Sequence, residues 1–164
     1  MIPPNLLITG VTGFIGFRTL LEALEAGYTV RAAIRNESGS KVLLSHPTPS
    51  DFASKNKLSF VKVPDILHPD AYTKALEDIT YAIHIASPIP LPSRKPSEIY
   101  ESTVQGAANI FEAALKTPSL KRVVITSSIV ANMPFPHATE NPVLTTAESR
   151  VFNVEGEMTE ADDL

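Results

Sequence analysis

The chain has 164 residues, of which 43% are hydrophobic and 20% charged, with a net charge of −4 and no cysteine. This length suits one globular domain with a hydrophobic core. The charge balance argues against nucleic acid or an anionic membrane surface as a partner. Without cysteine, these residues form no disulfide, thiolate nucleophile or Cys-ligated zinc site.

Two further exclusions come from the histidines and from the amino-terminal segment. The histidines, at positions 46, 68, 84 and 137, show no metal-binding spacing, and no metal site is expected. His84 falls within an apolar run and is interpreted as a hydrogen-bonded core residue. The first apolar run ends at Thr9, too short for a signal peptide or a membrane span, so a cytoplasmic location is expected.

A glycine-rich turn follows that first apolar run. Gly10, Gly13 and Gly16 recur at intervals of three, between an apolar segment and an amphipathic one. Gly10 lets the chain turn off a strand, Gly13 lets backbone approach a pyrophosphate, and Gly16 lets a helix lie close to the strand. The free N–H groups of the helix attract phosphate. The turn therefore predicts a dinucleotide site, with a purely structural turn as the alternative.

Further along the chain, apolar segments alternate with amphipathic ones, which predicts a doubly wound α/β fold. The expected parallel sheet has the Rossmann strand order 3-2-1-4-5, with the ligand crevice between the first and fourth strands. Thr12 is the predicted N-cap of the first helix, Gly27 its end, and 46–50 a break after the second helix. The predicted strands after the first are 29–34, 58–63, 81–86 and 122–127, and the predicted helices are 14–25, 41–45, 71–76 and 97–116.

The predicted domain boundary lies where this periodicity fades. Residues 1–132 form the expected dinucleotide-binding domain, and 133–164 an irregular loop and tail with prolines at 134, 136 and 142. An irregular stretch of this length is often functional.

The end of the second strand indicates the cofactor. NAD sites place an acid there for the ribose 2′-OH, whereas this strand ends Ile34-Arg35-Asn36. A guanidinium suits a 2′-phosphate, so Arg35, with Lys41 as a second cation, predicts NADP(H). The alternatives are solvated surface charges, with Glu37 as the competing acid. Asp65 is either a contact to the adenine amine or a helix cap.

Five segments in order carry a resemblance: 9–16 (TGVTGFIG), Arg35, 65–66 (DI), 84–88 (HIASP) and 126–128 (TSS). The chain resembles the extended short-chain dehydrogenase/reductase family, closest to its dihydroflavonol reductase, cinnamoyl-CoA reductase and yeast-type carbonyl reductase branch. The resemblance implies NADPH-dependent reduction of a small-molecule carbonyl, or the reverse oxidation of an alcohol. The expected cofactor-binding residues are Gly10, Thr12, Gly13, Phe14, Ile15, Gly16, Arg35, Lys41, Asp65, Ile66, Ala86, Ser87, Pro88 and Thr126.

The same resemblance implies a catalytic Ser after the fifth strand, a proton-donating Tyr and a Lys four residues beyond that Tyr. Ser128 is the expected carbonyl-binding Ser, with Ser127 as second choice. None of the four tyrosines, at 28, 72, 81 and 100, has Lys four residues on. The chain therefore resembles a truncated cofactor-binding half of a reductase, expected to be almost inactive alone.

The missing partner elements are expected to leave apolar surface open on the long helix and beside the fifth strand, which favours self-association. Two alternatives stay open. One is a non-catalytic NADP-binding module or redox sensor of the NmrA type. The retained Thr126-Ser127-Ser128 argues against this alternative, because a sensor has no need of a carbonyl-binding Ser. The other is a relic that binds no ligand.

Overall fold

The computed structural model describes residues 5–88 and 95–128. The chain divides into two compact units, 1–125 and 126–164, and every helix and strand of the described residues lies in the first. The predicted boundary after residue 132 lies outside the described residues. The elements are β1 (Asn5–Ile8), α1 (Phe14–Glu25), β2 (Thr29–Ile34), α2 (Glu37–Leu44), α3 (Pro47–Ser54), β3 (Leu58–Lys62), β4 (Tyr81–His84), α4 (Pro96–Leu115) and β5 (Arg122–Ile125).

The strands form one parallel sheet in the order β3-β2-β1-β4-β5, as predicted. From β1 the chain winds outward through β2 to β3, and it then returns to the other side of β1 for β4 and β5. The direction of winding therefore changes between β1 and β4. In a doubly wound sheet this switch point is where a ligand binds, beyond the carboxyl ends of the strands.

The two faces of β1 supply two hydrophobic cores. Leu6 and Ile8 pack in one cluster with α1 residues such as Leu20. Leu7 points into the other cluster, with Tyr72 and with Ile110 of α4. Both faces of the central strand are covered, which explains why residues 6–8 of β1 are all apolar instead of alternating with polar residues.

The first helix has the predicted bounds but a different cap. Its N-cap is Gly13, with extended backbone (φ −88°, ψ 169°) and no side-chain hydrogen bond. The prediction of Thr12 as N-cap was wrong, since Thr12 lies one residue before the cap. At the other end, the Gly27 N–H bonds to the Leu24 carbonyl, and its φ of +90° confirms the predicted glycine stop.

The helix after β2 is longer than predicted, and the break predicted over 46–50 is present but shorter, since it covers only Ser45 and His46. α2 begins at Glu37 instead of Lys41, with Asn36 as its N-cap. After Ser45 and His46 the chain starts α3, in which Pro47 and Pro49 are helical. Proline is tolerated in a first turn because the N–H groups there have no intrahelical acceptor. These prolines therefore begin a helix instead of excluding one.

The predicted helix over 71–76 was also wrong. The chain from Ile66 to Asp78 forms successive turns, in which the Ala71 and Thr73 amides bond to carbonyls three residues back and the Leu76 amide to the Tyr72 carbonyl four residues back. Side chains from other elements bond to carbonyls of this segment. One Arg31 nitrogen donates to the Ala75 and Glu77 carbonyls at 3.0 and 2.6 Å. These long-range donors stabilise turns where local propensity favours a helix.

Among the helices of the described residues, none is long and apolar enough to cross a membrane.

Candidate dinucleotide site

The glycine turn between β1 and α1 depends on the absence of two side chains. Gly10 has a φ of +73°, and a Cβ there would lie 2.8 Å from the Ala86 nitrogen. A Cβ on Gly16 would lie 2.0 Å from the Gly10 carbonyl oxygen. Glycine at these positions lets the turn approach the chain beyond β4 and lets α1 pack against the turn. The positive φ of Gly10 agrees with the predicted turn off the strand, whereas the atoms nearest a Gly16 Cβ belong to Gly10 and Val11, just beyond the strand.

Gly13 has a different environment, because a Cβ there would meet only the Gly10 oxygen, at 3.4 Å. Its outer side is therefore open to a ligand. Behind it, the first turn of α1 has no acidic side chain and no side-chain cap. The N–H groups of that turn lack intrahelical acceptors and lie at the positive end of the helix dipole. A pyrophosphate fits this arrangement without displacing a side chain.

The first two residues of α1 are apolar and exposed to solvent. Phe14 is 96% exposed and Ile15 more than half exposed. An open groove of about 710 Å³ passes beside them, lined also by Thr12, Phe17 and Val42. The glycine turn therefore borders a groove with largely apolar walls.

A buried hydrogen-bond network joins the ends of β1 and β4 beneath the turn. The Thr9 hydroxyl lies 2.9 Å from Nδ1 of His84 and accepts from the Ile85 and Ala86 N–H groups at 3.1 and 3.0 Å. Burial lowers the pKa of His84. The sequence interpretation of His84 as a hydrogen-bonded core residue is confirmed.

The carboxyl end of β2 carries the predicted cation. Arg35 is exposed directly after the strand. Sequence analysis missed Lys62, which pairs with Ile34 in register at the end of β3 and lies 3.4 Å from a Glu37 carboxylate oxygen. Glu37, the competing acid, thus faces a lysine. Lys62 reaches the end of β2 through its register with Ile34, the residue before Arg35, and this register is set by the pairing of β2 with β3.

The helix α2 lies close to the glycine turn. A Cβ on Gly39 would come within 3.4 Å of the Thr12 methyl group and 3.3 Å of Ile34. Lys41, the second predicted cation, is exposed in the same helix. The structure thus places Thr12 beside α2.

The loop after β3 is anchored by α4. The exposed Asp65 accepts a hydrogen bond from the Leu67 N–H at 2.9 Å, which caps a turn. Asn109 of α4, almost fully buried, donates to the Ile66 and His68 carbonyls at 2.8 and 3.1 Å. A Cβ on Gly106, one helical turn earlier, would lie 3.0 Å from the Ile66 side chain. Sequence analysis missed Asn109, although a polar residue within the apolar stripe of a helix was a signal.

The remaining predicted residues follow β4 and β5. Ala86 lies against Gly10, while Ser87 is exposed and Pro88 half-buried. Thr126, Ser127 and Ser128 are exposed and belong to the second unit. Within residues 5–88 and 95–128, no three histidine or acidic side chains are arranged to hold a metal ion.

Comparison with known proteins identifies the family. The model of the NAD dependent epimerase/dehydratase family matches residues 6–158. The chain belongs to this family. The predicted resemblance to extended short-chain dehydrogenases and reductases is therefore confirmed.

The relatives of this family member include fungal proteins. The chain is 44% identical over 127 residues to the NAD-dependent epimerase/dehydratase ALT6 of Alternaria alternata, covering 74% of this chain and 36% of the relative. It is 38% identical over 161 residues to the ketoreductase CTB6 of Cercospora beticola, covering 91% and 44%. It spans less than half the length of either.

A solved structure shows the same fold. Yeast methylglyoxal/isovaleraldehyde reductase Gre2, in complex with NADPH, matches with a TM-score of 0.70 and 26% identity. The match covers 79% of this chain and 39% of the reductase. This neighbour belongs to the yeast-type branch that the sequence resembles.

Proposed function

We propose that this chain binds NADPH at the glycine turn and forms the cofactor-binding half of a carbonyl reductase. The observation that carries the proposal is the open backbone at Gly13, backed by the uncapped, acid-free first turn of α1 at the switch point of the sheet. The family's description as NAD-dependent and the NADPH complex of the yeast reductase support the same cofactor class.

The choice of NADPH over NADH is assigned to Arg35. Its guanidinium, free in the solvent at the end of β2, presents a planar donor fork that suits the three oxygens of a 2′-phosphate. Lys62 adds a second positive charge on the neighbouring strand, and it is partly neutralised by Glu37. Lys41 is assigned a weaker, longer-range contribution, because it lies further along α2.

The chemistry belongs to the whole reductase and not to these residues alone. When bound, NADPH supplies a hydride. Ser128, or Ser127 as second choice, is assigned by resemblance to hydrogen-bond the substrate carbonyl. The family's proton donor is absent, because no Tyr among the 164 residues has Lys four residues on. General acid catalysis contributes roughly 10²–10⁴-fold, so this chain alone is expected to oxidise NADPH negligibly with an aldehyde or ketone.

A calorimetric titration of the purified chain with NADPH and NADH tests the proposal. We expect NADPH to bind more tightly, and Arg35→Ala to remove about tenfold or more of that preference. Arg122→Ala is the matched control, because Arg122 is an exposed arginine at the amino-terminal end of β5. It therefore lies at the opposite end of the parallel strands from Arg35. Absence of binding by either nucleotide, or an equal effect of the two substitutions, would contradict the proposal.

An activity assay separates the proposal from the redox-sensor alternative. The chain is assayed with NADPH and an aldehyde, alone and joined to the remaining part of a related reductase. Recovery of NADPH oxidation in the joined protein, and its loss in Ser128→Ala, supports the reductase. Tight NADPH binding with no activity in the joined protein favours a sensor.

A further inference from the structure

The network beneath the glycine turn links two loops that the proposed function needs at once. One loop runs from Gly10 to Gly16, and the other begins at Ile85 and Ala86 after β4. The two approach so closely that a Cβ on Gly10 would lie 2.8 Å from the Ala86 nitrogen. Thr9, directly before the first loop, connects the two, because its hydroxyl accepts hydrogen bonds from the Ile85 and Ala86 N–H groups.

The hydrogen bonds of the Thr9 hydroxyl determine which nitrogen of the His84 imidazole carries the proton. A threonine hydroxyl has two acceptor lone pairs and one proton. The Ile85 and Ala86 N–H groups occupy both lone pairs, at 3.1 and 3.0 Å. The hydroxyl proton is then directed at Nδ1 of His84, 2.9 Å away. Nδ1 must therefore accept, and the imidazole is neutral with its proton on Nε2.

The surroundings of His84 are consistent with this state. His84 is 4% exposed, and the Tyr72 ring meets its ring edge-on at 5.7 Å between centroids. Tyr72 belongs to the turns before β4 and is the titratable side chain in contact with the ring, while Thr9 reaches it from β1. No ion pair or hydrogen bond joins His84 to a charged side chain within the described parts of the chain.

We infer that Thr9 and His84 form a positioning pair, in which the Nε2–H imidazole orients the Thr9 hydroxyl so that it clamps the β4 loop against the glycine turn. The pair touches no ligand. It sets the separation of the two loops between which the cofactor would lie. The expected effect on NADPH binding rests on the proposed function. The hydrogen bonds that hold the two loops together are a property of the protein without ligand.

Three variants of the 164-residue chain test the pair. Thr9→Val keeps the shape but removes both acceptor and donor, leaving the two part-buried N–H groups of Ile85 and Ala86 unpaired. We expect NADPH binding to weaken about tenfold, and the Ile85 and Ala86 amides to exchange with solvent about tenfold faster. Thr9→Ser keeps the hydroxyl, so its NADPH affinity and its Ile85 and Ala86 amide exchange rates should lie within about threefold of those of the unsubstituted protein. Thr117→Val is the matched control, since Thr117 also donates one side-chain hydrogen bond, at 2.9 Å, but at the end of α4.

A nuclear magnetic resonance measurement on the unsubstituted protein is independent of ligand and of variant folding. Long-range proton–nitrogen correlations of the His84 ring should show an unprotonated Nδ1 and a protonated Nε2 at neutral pH. A protonated Nδ1 would overturn the inference. So would a Thr9→Val protein whose Ile85 and Ala86 amides exchange at the original rate.

These outcomes separate the positioning pair from the proposed function. If the unsubstituted chain binds no nucleotide, the proposed function fails, and the tautomer and amide exchange still decide whether the clamp exists. If NADPH binds equally well to the Thr9→Val and Thr117→Val proteins, the positioning role is wrong while the NADPH site stands. If Thr9→Val fails to fold, His84→Asn, which keeps an acceptor, should bind NADPH more tightly than His84→Leu, and the reverse order would overturn the inference.

Discussion

Gly13 and Gly16 are three residues apart, yet substitution with alanine should have different effects. Gly16→Ala places a methyl group 2.0 Å from the Gly10 oxygen, so backbone must move. We expect a loss of at least about 2 kcal/mol in the free energy of unfolding, measured by urea denaturation. Gly13→Ala meets nothing closer than 3.4 Å and has an ordinary negative φ. It should fold normally and weaken NADPH binding instead. Equal stability losses in the two variants would refute the distinction between a packing glycine and a ligand-facing one.

His84 should make the fold sensitive to mild acid. Burial holds its pKa below the ordinary value of about 6.5 that applies to the unfolded chain. As the pH falls below that value, the unfolded chain takes up a proton that the folded chain does not, so stability present at neutral pH is lost. The free energy of unfolding should therefore fall between pH 7 and 5.5, by at most about 1.4 kcal/mol per pH unit from this group. His84→Asn, which does not titrate, should show a shallower slope in urea titrations, and an unchanged slope would count against the buried neutral imidazole.

Tyr72 carries the buried polar side-chain atom that lacks a hydrogen-bond partner in the described residues. Burial also raises the pKa of its hydroxyl, which stays protonated. An unsatisfied buried hydroxyl costs desolvation energy, so Tyr72→Phe should leave stability unchanged or raise it by up to about 1 kcal/mol. Thermal unfolding followed by circular dichroism measures the change. A clear loss of stability would show that the hydroxyl has a partner, such as a buried water.

At the scale of elements, α4 should stabilise the loop after β3 through one side chain. Asn109 donates to two carbonyls there and accepts from Gln105 at 2.8 Å. Asn109→Ala leaves those groups unpaired and should cost about 2–3 kcal/mol of unfolding free energy. Gln105→Ala is the control, because its side chain is exposed and should cost under about 1 kcal/mol. Hydrogen exchange should locate the loosening at 65–68, and protection there equal to that of the unsubstituted protein would contradict the anchoring.

The elements that sequence predicted well are those with strong local signals. α1 and β2 have the predicted bounds because a glycine turn and a glycine stop define both ends of the helix, and the strand follows at once. Strand order followed from the alternation of elements and the handedness of crossovers. The turns over 66–78 were not predictable locally, since Arg31 and Asn109 donate hydrogen bonds to their carbonyls from 41 or more residues away along the chain.

The candidate site shows the same division between local and distant causes. The roles of the glycines and of Arg35 can be predicted from the sequence, because each depends on local features. A glycine acts through its own backbone, and Arg35 acts through its place directly after a strand. Lys62 becomes a site residue only through its register with Ile34, which needs the sheet to be known. Thr9 lies within the recognised motif, but its role depends on contacts to His84, Ile85 and Ala86, 75 to 77 residues away.

At the scale of the whole molecule, α4 presents an apolar face to solvent. Tyr100, Val104, Phe111 and Leu115 project within about 60° of one another on a helical wheel, and Leu115 is 89% exposed. Val124 of β5, an edge strand of the described sheet, is about half exposed. The expected open surface is thus present on the long helix and beside the fifth strand. Contiguous exposed apolar surface on a soluble domain favours association.

We therefore propose that the 164-residue chain self-associates through this α4 face as its concentration rises. Sedimentation velocity over a concentration series should show growing species for the unsubstituted chain. A Val104→Glu, Leu115→Glu double variant should stay monomeric at the same concentrations, because two carboxylates on the face resist desolvation. Val42→Glu is the matched control, since Val42 is also more than half exposed but lies on α2. It should associate like the unsubstituted chain. A monomer at every concentration, or equal effects of the α4 and α2 substitutions, would show that the exposed helix face does not drive association.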